Sequence, residues 1–183
     1  MSTLTKCNRC ELHLNQKPLI DKIKPAEIMW VGISAKKIET IGERPLSNAT
    51  NSGKIIDLIE SNFNQVSFYR TNLVKCLPLN DNKKLRYPKH REQEICYYNF
   101  LTEINLIKPK IVFLLGTLVS NFILKKYGIQ NRDKFNLNFE YTPHKIDKIF
   151  LVPIHHPSYV YTYKSKQINL YVNNIKNLIE KLN

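Results

Sequence analysis

The sequence predicts an α/β fold in which a parallel β-sheet is covered by helices on both faces. Short apolar runs rich in β-branched and aromatic side chains recur along the chain, and such runs are typical of strands that are buried on both sides. Segments with the 3.6-residue spacing of amphipathic helices lie between these runs. Because strands that alternate with helices favour parallel pairing, we expect one sheet between two layers of helices.

The individual elements follow from the same patterns. Four apolar runs are predicted to be strands, at residues 27–31, 66–69, 110–115 and 149–153. A first helix is predicted to begin at Ser52 or Gly53, and a longer one to begin at Pro88 and end before Pro109. A third helix is predicted over residues 117–126, stopped by Gly128, and a fourth over 166–182. In parallel sheets ligands bind beyond the carboxyl ends of the strands, so chemistry is expected after each run.

Length and composition indicate one domain over residues 1–183. The chain is 43% hydrophobic and 23% charged, an ordinary globular composition that excludes a disordered tail, a collagen-like fibre and a coiled coil. The longest uncharged stretch, 111–124, is 14 residues long, whereas a membrane-spanning helix needs about 20. Since the first residues carry no apolar segment typical of a signal peptide, we expect a cytoplasmic protein without a membrane partner. No oligomer interface is indicated, so a monomer is expected.

The charge balance points to a polyanionic partner. Lysine and arginine number 28 against 15 acidic residues, which gives a net charge of +13. Such an excess favours nucleic acid, although a solvated basic surface is the alternative. The segment 82–91 contains no acidic residue and concentrates basic side chains: Lys83, Lys84, Arg86, Lys89, His90 and Arg91.

Four cysteines have a spacing typical of a metal site. Cys7 and Cys10 form a C-x2-C pair ahead of the first predicted strand, and Cys76 and Cys96 follow much later. Two sulfurs on a tight turn can chelate one centre, and a distant pair can complete four-coordination. In a cytosolic chain this favours metal or redox use over disulfides. The spacing alone leaves zinc and a [4Fe–4S] cluster open, and four unrelated thiols are the alternative.

Five landmarks occur in order between residues 4 and 180. They are Cys7-Asn8-Arg9-Cys10, the segment 71–78 (T-N-L-V-K-C-L-P), Cys96, Leu115-Gly116 and the segment 155–158 (H-H-P-S). Together they resemble the uracil-DNA glycosylase superfamily, and most closely its iron–sulfur branch, family 4, with its T-N-x-V-K-C-x-P and H-P-S motifs. The resemblance implies a three-layer α/β/α sandwich with a central four-stranded parallel sheet. It also implies DNA as the partner and a structural [4Fe–4S] cluster on the four cysteines, with zinc as the alternative.

The resemblance implies catalytic roles for Asn72 and His156. A side-chain amide can donate a hydrogen bond to uracil O4 and accept one from N3–H, a pattern that cytosine inverts. His156 would donate a hydrogen bond to the negative charge that collects on uracil as the glycosidic bond breaks. From residue type alone, the alternative for Asn72 is a cap of the turn after its strand, and the alternative for His155 and His156 is surface histidines.

The remaining expected sites also follow from the resemblance. The base pocket is expected at Gly32, Ile33, Ser34 and Leu46. Ser158 and Tyr159 occupy the position of the family's intercalation loop, where it meets the minor groove. Phosphate contacts are expected from Lys83, Lys84, Arg86, Lys89 and Arg91.

The first motif departs from the family pattern. Where family 4 typically has G-E-x-P-G-E, residues 32–37 read G-I-S-A-K-K, so that Ile33 replaces an acid and only Gly32 is retained. An isoleucine cannot accept a proton from water, and a general base typically contributes about 10²–10⁴-fold to a rate. Glu39 lies several residues too late, and Glu43 and Asp57 are weaker substitutes. The family's G-R-P-F reads G-E-R-P-L here, so Leu46 forfeits part of the stacking of an aromatic ring.

Two functions remain open at this stage. The chain is expected either to excise uracil or a related base from DNA, with classical turnover in doubt, or to be a degenerate glycosylase without excision. The second kind of protein would bind DNA, or an acidic protein that mimics DNA and inhibits glycosylases. A plain redox role for the cysteines ranks below both, because a fully ligated cluster lacks an exchangeable thiol.

Overall fold

The structure is a computed structural model that describes residues 4–40, 42–130 and 135–183. Its strands are β1 (Ile28–Ser34), β2 (Phe68–Val74), β3 (Ile111–Leu115), β4 (His144–Ile146) and β5 (Ile149–Ile154). Its helices are α1 (Leu12–Asn15), α2 (Asn51–Glu60), α3 (His90–Ile107), α4 (Thr117–Lys126), α5 (Pro157–Tyr163) and α6 (Ile168–Leu182), with a 3₁₀ turn at Ser165–Gln167. Within these described ranges, no helix combines the length and the apolar character that crossing a bilayer requires.

The five strands form one sheet in the order β2-β1-β3-β5-β4. The first four are parallel to one another, which confirms the predicted α/β fold and its four parallel strands. The strand count differs from the expectation because β4 adds an antiparallel edge to β5. A three-residue strand is too short to show a period of two. Asp147 and Lys148 form the two-residue turn of this hairpin, with Asp147 at a positive φ of 51°.

Each face of the sheet carries its own apolar core. Because side chains alternate along β1, Met29 and Val31 pack on the side of α3 and α4, whereas Ile28 and Trp30 pack on the side of α2, α5 and α6. The Trp30 ring stacks on Phe113 with a centroid distance of 4.6 Å. The expected three layers are therefore present. The carboxyl ends of the parallel strands β1, β2, β3 and β5 lie at the same end of the sheet.

Candidate active site

A cavity of about 610 Å³ opens at the carboxyl edge of the sheet. Its wall is formed by the end of β1, the turn from β3 into α4, the loop before α3, and α5. The lining residues are Ile33, Tyr87, Leu115, Gly116, Thr117, Leu118, His156, Ser158, Tyr159, Thr162 and Tyr163. No aspartate or glutamate occurs among these described lining residues. The cavity thus offers hydroxyl groups, aromatic rings and one imidazole, but no carboxylate.

His156 presents one N–H donor at this cavity. It is the N-cap of α5, and its Nδ1 accepts a hydrogen bond from the Ser158 backbone N–H at 3.3 Å. The Ser158 hydroxyl lies 2.8 Å from the same nitrogen. Because a backbone amide can only donate, Nδ1 carries no proton, and the ring proton is on Nε2. Burial lowers the pKa of His156 below its ordinary value, so the imidazole is neutral at neutral pH.

Gly116 allows the chain to pass directly against this imidazole. It lies between β3 and α4 at a φ of +92°, a conformation that residues with a side chain rarely adopt. A Cβ atom at this position would lie 3.2 Å from the His156 Cβ. The β3–α4 turn and His156 therefore lie against each other, because each follows one of two neighbouring strands, β3 and β5.

Asn72 lies inside β2, not in a turn after it, and faces Gly32 across the β1–β2 ladder. A Cβ atom on Gly32 would lie 2.3 Å from Asn72 Oδ1, so the amide occupies the space that glycine leaves open. Asn72 is only 4% exposed, and no hydrogen bond joins its side-chain amide to another described residue. The Asn72 amide is not among the fully buried polar groups of the described residues that lack a partner, so it retains access to solvent or a ligand.

Asn72 and His156 lie at the same sheet edge, but Asn72 is not in the wall of the 610 Å³ cavity. The strands that carry them, β2 and β5, are separated by β1 and β3, which places these strands about 14 Å apart. Ile33 lines the cavity and directly follows Gly32, the neighbour of Asn72. Convergence of the two side chains on one bound base therefore stays a prediction.

A buried ion pair holds the backbone around Asn72. The Lys75 ammonium and the Glu103 carboxylate, from the end of β2 and from α3, are 1% and 0% exposed and in direct contact. Lys75 Nζ also donates to the Asn72 carbonyl at 2.5 Å and to Thr71 Oγ1 at 2.8 Å. Tyr69 donates its hydroxyl to Glu103 at 2.9 Å. This network fixes the strand segment from which the Asn72 amide projects.

The loop that carries the divergent first motif is organised by a second ion pair. Lys36 Nζ lies 2.8 Å from the carboxylate of Glu43, which also accepts hydrogen bonds from the Ser47 hydroxyl and the Glu39 N–H. These donors, led by Lys36, lower the pKa of Glu43 to about 2. Glu43 is therefore a weak base, and it does not line the cavity.

Leu46 lies next to Gly32, where the base pocket is expected. One of its methyl groups would lie 3.5 Å from a Cβ on Gly32, and its backbone adopts a positive φ of 52°. The buried Arg70 guanidinium donates to the Leu46 carbonyl at 2.8 Å, and Asp57 and Glu60 neutralise its charge. Ser34, also expected in the base pocket, ends β1 opposite Val74 and is outside the cavity wall.

The basic segment divides into free and bound side chains. Lys83, Lys84, Lys89 and Arg91 are exposed, as a phosphate-contacting role requires. Arg86, in contrast, is held by the protein: Nε donates to the Leu79 carbonyl at 2.8 Å, and both Nη atoms contact the Glu92 carboxylate. Arg86 therefore organises this loop and positions Tyr87, whose carbonyl it also contacts at 3.0 Å.

The four cysteines lie in one neighbourhood. Cys76 and Cys96 are buried, and Cys10 packs against the same core. Burial, followed by repulsion from the other three cysteines, raises the pKa of the Cys76 thiol to about 12. The Asn99 amide donates to Cys7 Sγ at 3.3 Å. Four sulfurs drawn from three separate parts of the chain, with an amide donor to one of them, form a donor set of the soft type that binds iron–sulfur clusters or zinc.

The sulfurs are not gathered around a single point. Among residues 4–40, 42–130 and 135–183, no group of three or more His, Cys, Asp or Glu side chains is close enough to hold one metal ion. A zinc ion bound at about 2.3 Å holds its sulfurs within about 4 Å of one another.

The comparison that decides the family covers almost the whole chain. A family model of the uracil DNA glycosylase superfamily matches residues 18–182. The chain belongs to this superfamily. Within the uracil DNA glycosylase superfamily, it is similar to the type-4 uracil-DNA glycosylase of Thermotoga maritima, with 27% identity over 167 residues, 89% of this chain and 82% of that protein.

Two further type-4 uracil-DNA glycosylases are similar as well. The type-4 uracil-DNA glycosylase of Saccharolobus solfataricus is 26% identical over 160 residues, 84% of this chain and 71% of that protein. The type-4 enzyme of Archaeoglobus fulgidus is 25% identical over 131 residues, 69% of this chain and 63% of that protein. The resemblance read from the five sequence landmarks is thus confirmed.

The structure shows roles in the site that the superfamily motifs alone do not indicate. Tyr87 and Tyr163 line the cavity, and Lys75 with Glu103 supports Asn72. The exposed tyrosines at alternate positions of the segment 159–163 are a usable sequence signal for Tyr163, whereas Tyr87 lies in a different loop and has no such signal. No sequence pattern indicates that Lys75 contacts Glu103, because the two residues are far apart along the chain.

Proposed function

We propose that the protein recognises uracil in DNA and excises it by stabilising the departing base. The observation that carries the proposal is the neutral His156, whose Nδ1 is occupied by Ser158 and whose Nε2–H is left to donate at the cavity. Incubation with a single-stranded oligonucleotide containing one uracil, followed by alkaline cleavage of abasic sites, tests it. Strand scission at the uracil position supports excision, and intact oligonucleotide contradicts it.

His156 would act on the leaving group. As the glycosidic bond breaks, its electron pair moves onto the uracil ring, and a hydrogen bond from Nε2–H stabilises the charge that develops there. A neutral imidazole remains a donor without adding a desolvated positive charge to a half-buried site. Ser158 fixes both the tautomer and the ring orientation, so that no reorganisation is needed during the reaction.

Asn72 would read the base. Its amide lies against Gly32, in the space that a side chain at position 32 would fill. An amide that donates to O4 and accepts from N3–H pairs with uracil and opposes cytosine. Lys75 and Glu103 keep the peptide of Asn72 in place, which supports a fixed orientation for such reading.

Excision would be slow because none of the described cavity residues is a carboxylate that could activate water. Ile33 lines the cavity at the position where the family motif has an acid. We expect Ile33→Glu to accelerate single-turnover excision by about 10²-fold or more, in line with the usual contribution of a general base. The rate constant of uracil release from the variant and the unchanged protein measures this gain.

Ile33→Gln is the matched control for that variant. Glutamine has nearly the shape of glutamate and similar polarity, but it cannot accept a proton from water at neutral pH. It should leave the rate at the level of the unchanged protein. An equal gain in both variants, or a gain in neither, would show that the missing carboxylate does not limit the reaction.

A second candidate function is DNA binding without excision. The absence of a carboxylate among the described cavity residues favours it. Salt-sensitive DNA binding together with no strand scission at stoichiometric protein would establish this alternative. An acidic protein that mimics DNA would compete for the same basic surface. We also propose that the chain folds as a single domain and acts as a monomer in the cytoplasm.

For the cysteines we infer a [4Fe–4S] cluster, held by Cys7, Cys10, Cys76 and Cys96, with zinc as the alternative. The cluster would connect the N-terminal segment to the end of β2 and to α3, and it would supply structural stability at that place. We expect the purified protein to be brown and to contain iron, and Cys10→Ser to lower both the iron content and the melting temperature. A colourless protein with bound zinc, or a variant that keeps its full iron content, would contradict the cluster.

A further inference from the structure

Three tyrosines stand around the mouth of the cavity beside His156. Tyr159 and Tyr163 are one turn apart on α5, and Tyr87 lies within the basic segment 82–91 on the opposite side. Their side chains are 41%, 72% and 73% exposed. We call these three residues the tyrosine rim. A cluster of exposed aromatic rings at a cavity mouth indicates an interaction surface, because soluble proteins rarely expose large contiguous apolar patches.

The rim has an internal order that suits planar ligands. The Tyr159 ring stacks on His155 with a centroid distance of 5.9 Å and an interplanar angle of 18°. The Tyr163 ring lies next in this row, with its centroid 5.5 Å from that of Tyr159 and its plane tilted by 41°. The row therefore starts at a buried histidine and ends in an open ring face. The exposed face of the Tyr163 ring is available for a planar base to stack on.

A fourth tyrosine on the same helix is arranged differently. Tyr161 points away from the cavity wall, and the Lys54 ammonium lies 5.5 Å from the centroid of its ring. Its ring thus has a partner within the protein. Tyr159 and Tyr163 therefore lie on the side of α5 that faces His156, and Tyr161 does not.

The charges near the rim fit a nucleic acid strand. Lys83 and Lys84 precede Tyr87 in the exposed basic segment, and Lys164 directly follows Tyr163. Lys164 is close enough to the row to lower the pKa of His155, although burial is the larger cause of that shift. Aromatic rings interleaved with lysines are the arrangement by which proteins bind single strands, with bases stacked on rings and phosphates on cations.

We propose that the tyrosine rim stacks the unpaired bases next to the target nucleotide, so that the protein binds single-stranded DNA in preference to duplex. In a duplex the neighbouring bases stack on each other and are held in pairs, so their faces are closed to Tyr87 and Tyr163. In a single strand both faces are open. The inference rests on the proposed function for the choice of DNA as the ligand.

Equilibrium binding to uracil-free oligonucleotides tests the rim separately from excision. The probes are one single strand and the blunt duplex of the same sequence, followed by fluorescence anisotropy. Tyr163→Ala and Tyr87→Ala should each weaken single-strand binding by about 5- to 150-fold, the range for loss of one stacked base. Tyr163→Phe should retain the affinity, because the ring face is kept. The salt dependence should not change, because no phosphate contact is removed.

Tyr161→Ala is the matched control, since it removes a ring of the same helix that lies outside the rim. It should bind the single strand as the unchanged protein does. Equal losses for the single strand and the duplex, or no loss in either rim variant, would overturn the proposal. Rim-dependent single-strand binding without any release of uracil from a uracil-containing strand would uphold the rim and refute the excision function.

Discussion

Replacing His156 by alanine is expected to slow uracil excision by about 10²–10³-fold in a single-turnover assay. The variant loses the Nε2–H donor that faces the cavity, and removal of one preorganised donor to a developing oxyanion typically costs about 2.7–4 kcal/mol. Binding of uracil-containing DNA should change far less, because the hydrogen bond strengthens only as the charge develops. Rate constants at saturating protein, together with an independent binding measurement, separate the two effects.

His90→Ala is the control for this substitution. His90 is an exposed histidine at the start of α3, with 74% of its side chain accessible, and it is not in the cavity wall. Its replacement should leave the rate unchanged. A His156→Ala variant that excises uracil as fast as the His90→Ala variant would remove His156 from the reaction.

Replacing Lys75 by methionine is expected to destabilise the protein by about 3–5 kcal/mol. Methionine keeps most of the volume, but it leaves the Glu103 carboxylate buried without its partner. For a chain of this size that loss lowers the melting temperature by roughly 6–20 °C. Chemical denaturation of the variant and the unchanged protein measures the free energy of unfolding directly.

Lys110→Met provides the comparison for an exposed ion pair. Lys110 lies 3.8 Å from Glu27, and 52% of the lysine side chain is accessible. Such surface pairs contribute about 0–1 kcal/mol. If Lys75→Met destabilises the protein no more than Lys110→Met, then the buried pair does not stabilise the segment that carries Asn72.

The central part of the fold could be predicted because its signals are local. Each of the four parallel strands overlaps a short apolar run, although β2 extends to Val74, five residues beyond the predicted end at residue 69. The third helix, residues 117–126, has the bounds that its periodicity and Gly128 indicate. Most of the discrepancies occur at short elements. The helix α5, which begins at Pro157, is not among the predicted helices. A proline at the first helical position is a known start signal, but here it stands in the H-P-S motif directly after His156. The edge strand β4 is too short for any period to show.

The candidate site could be predicted only where motifs carried it. The sequence indicates His156 and Asn72, but the tautomer of His156 depends on the geometry of Ser158. The pairing of Lys75 with Glu103 depends on how α3 packs against β2, and no local pattern encodes that contact. Arg86 is one of several similar basic residues in the sequence, and only the folded loop shows that Glu92 binds it.

The claim on which the account depends is that the neutral imidazole of His156 stabilises the leaving base. Excision of uracil and of 5-fluorouracil from otherwise identical single strands tests it, because fluorine stabilises the departing anion without help from the protein. The account predicts that His156→Ala slows the release of uracil much more than the release of 5-fluorouracil. The same rate loss for both bases, or release of neither base by the unchanged protein, would contradict it.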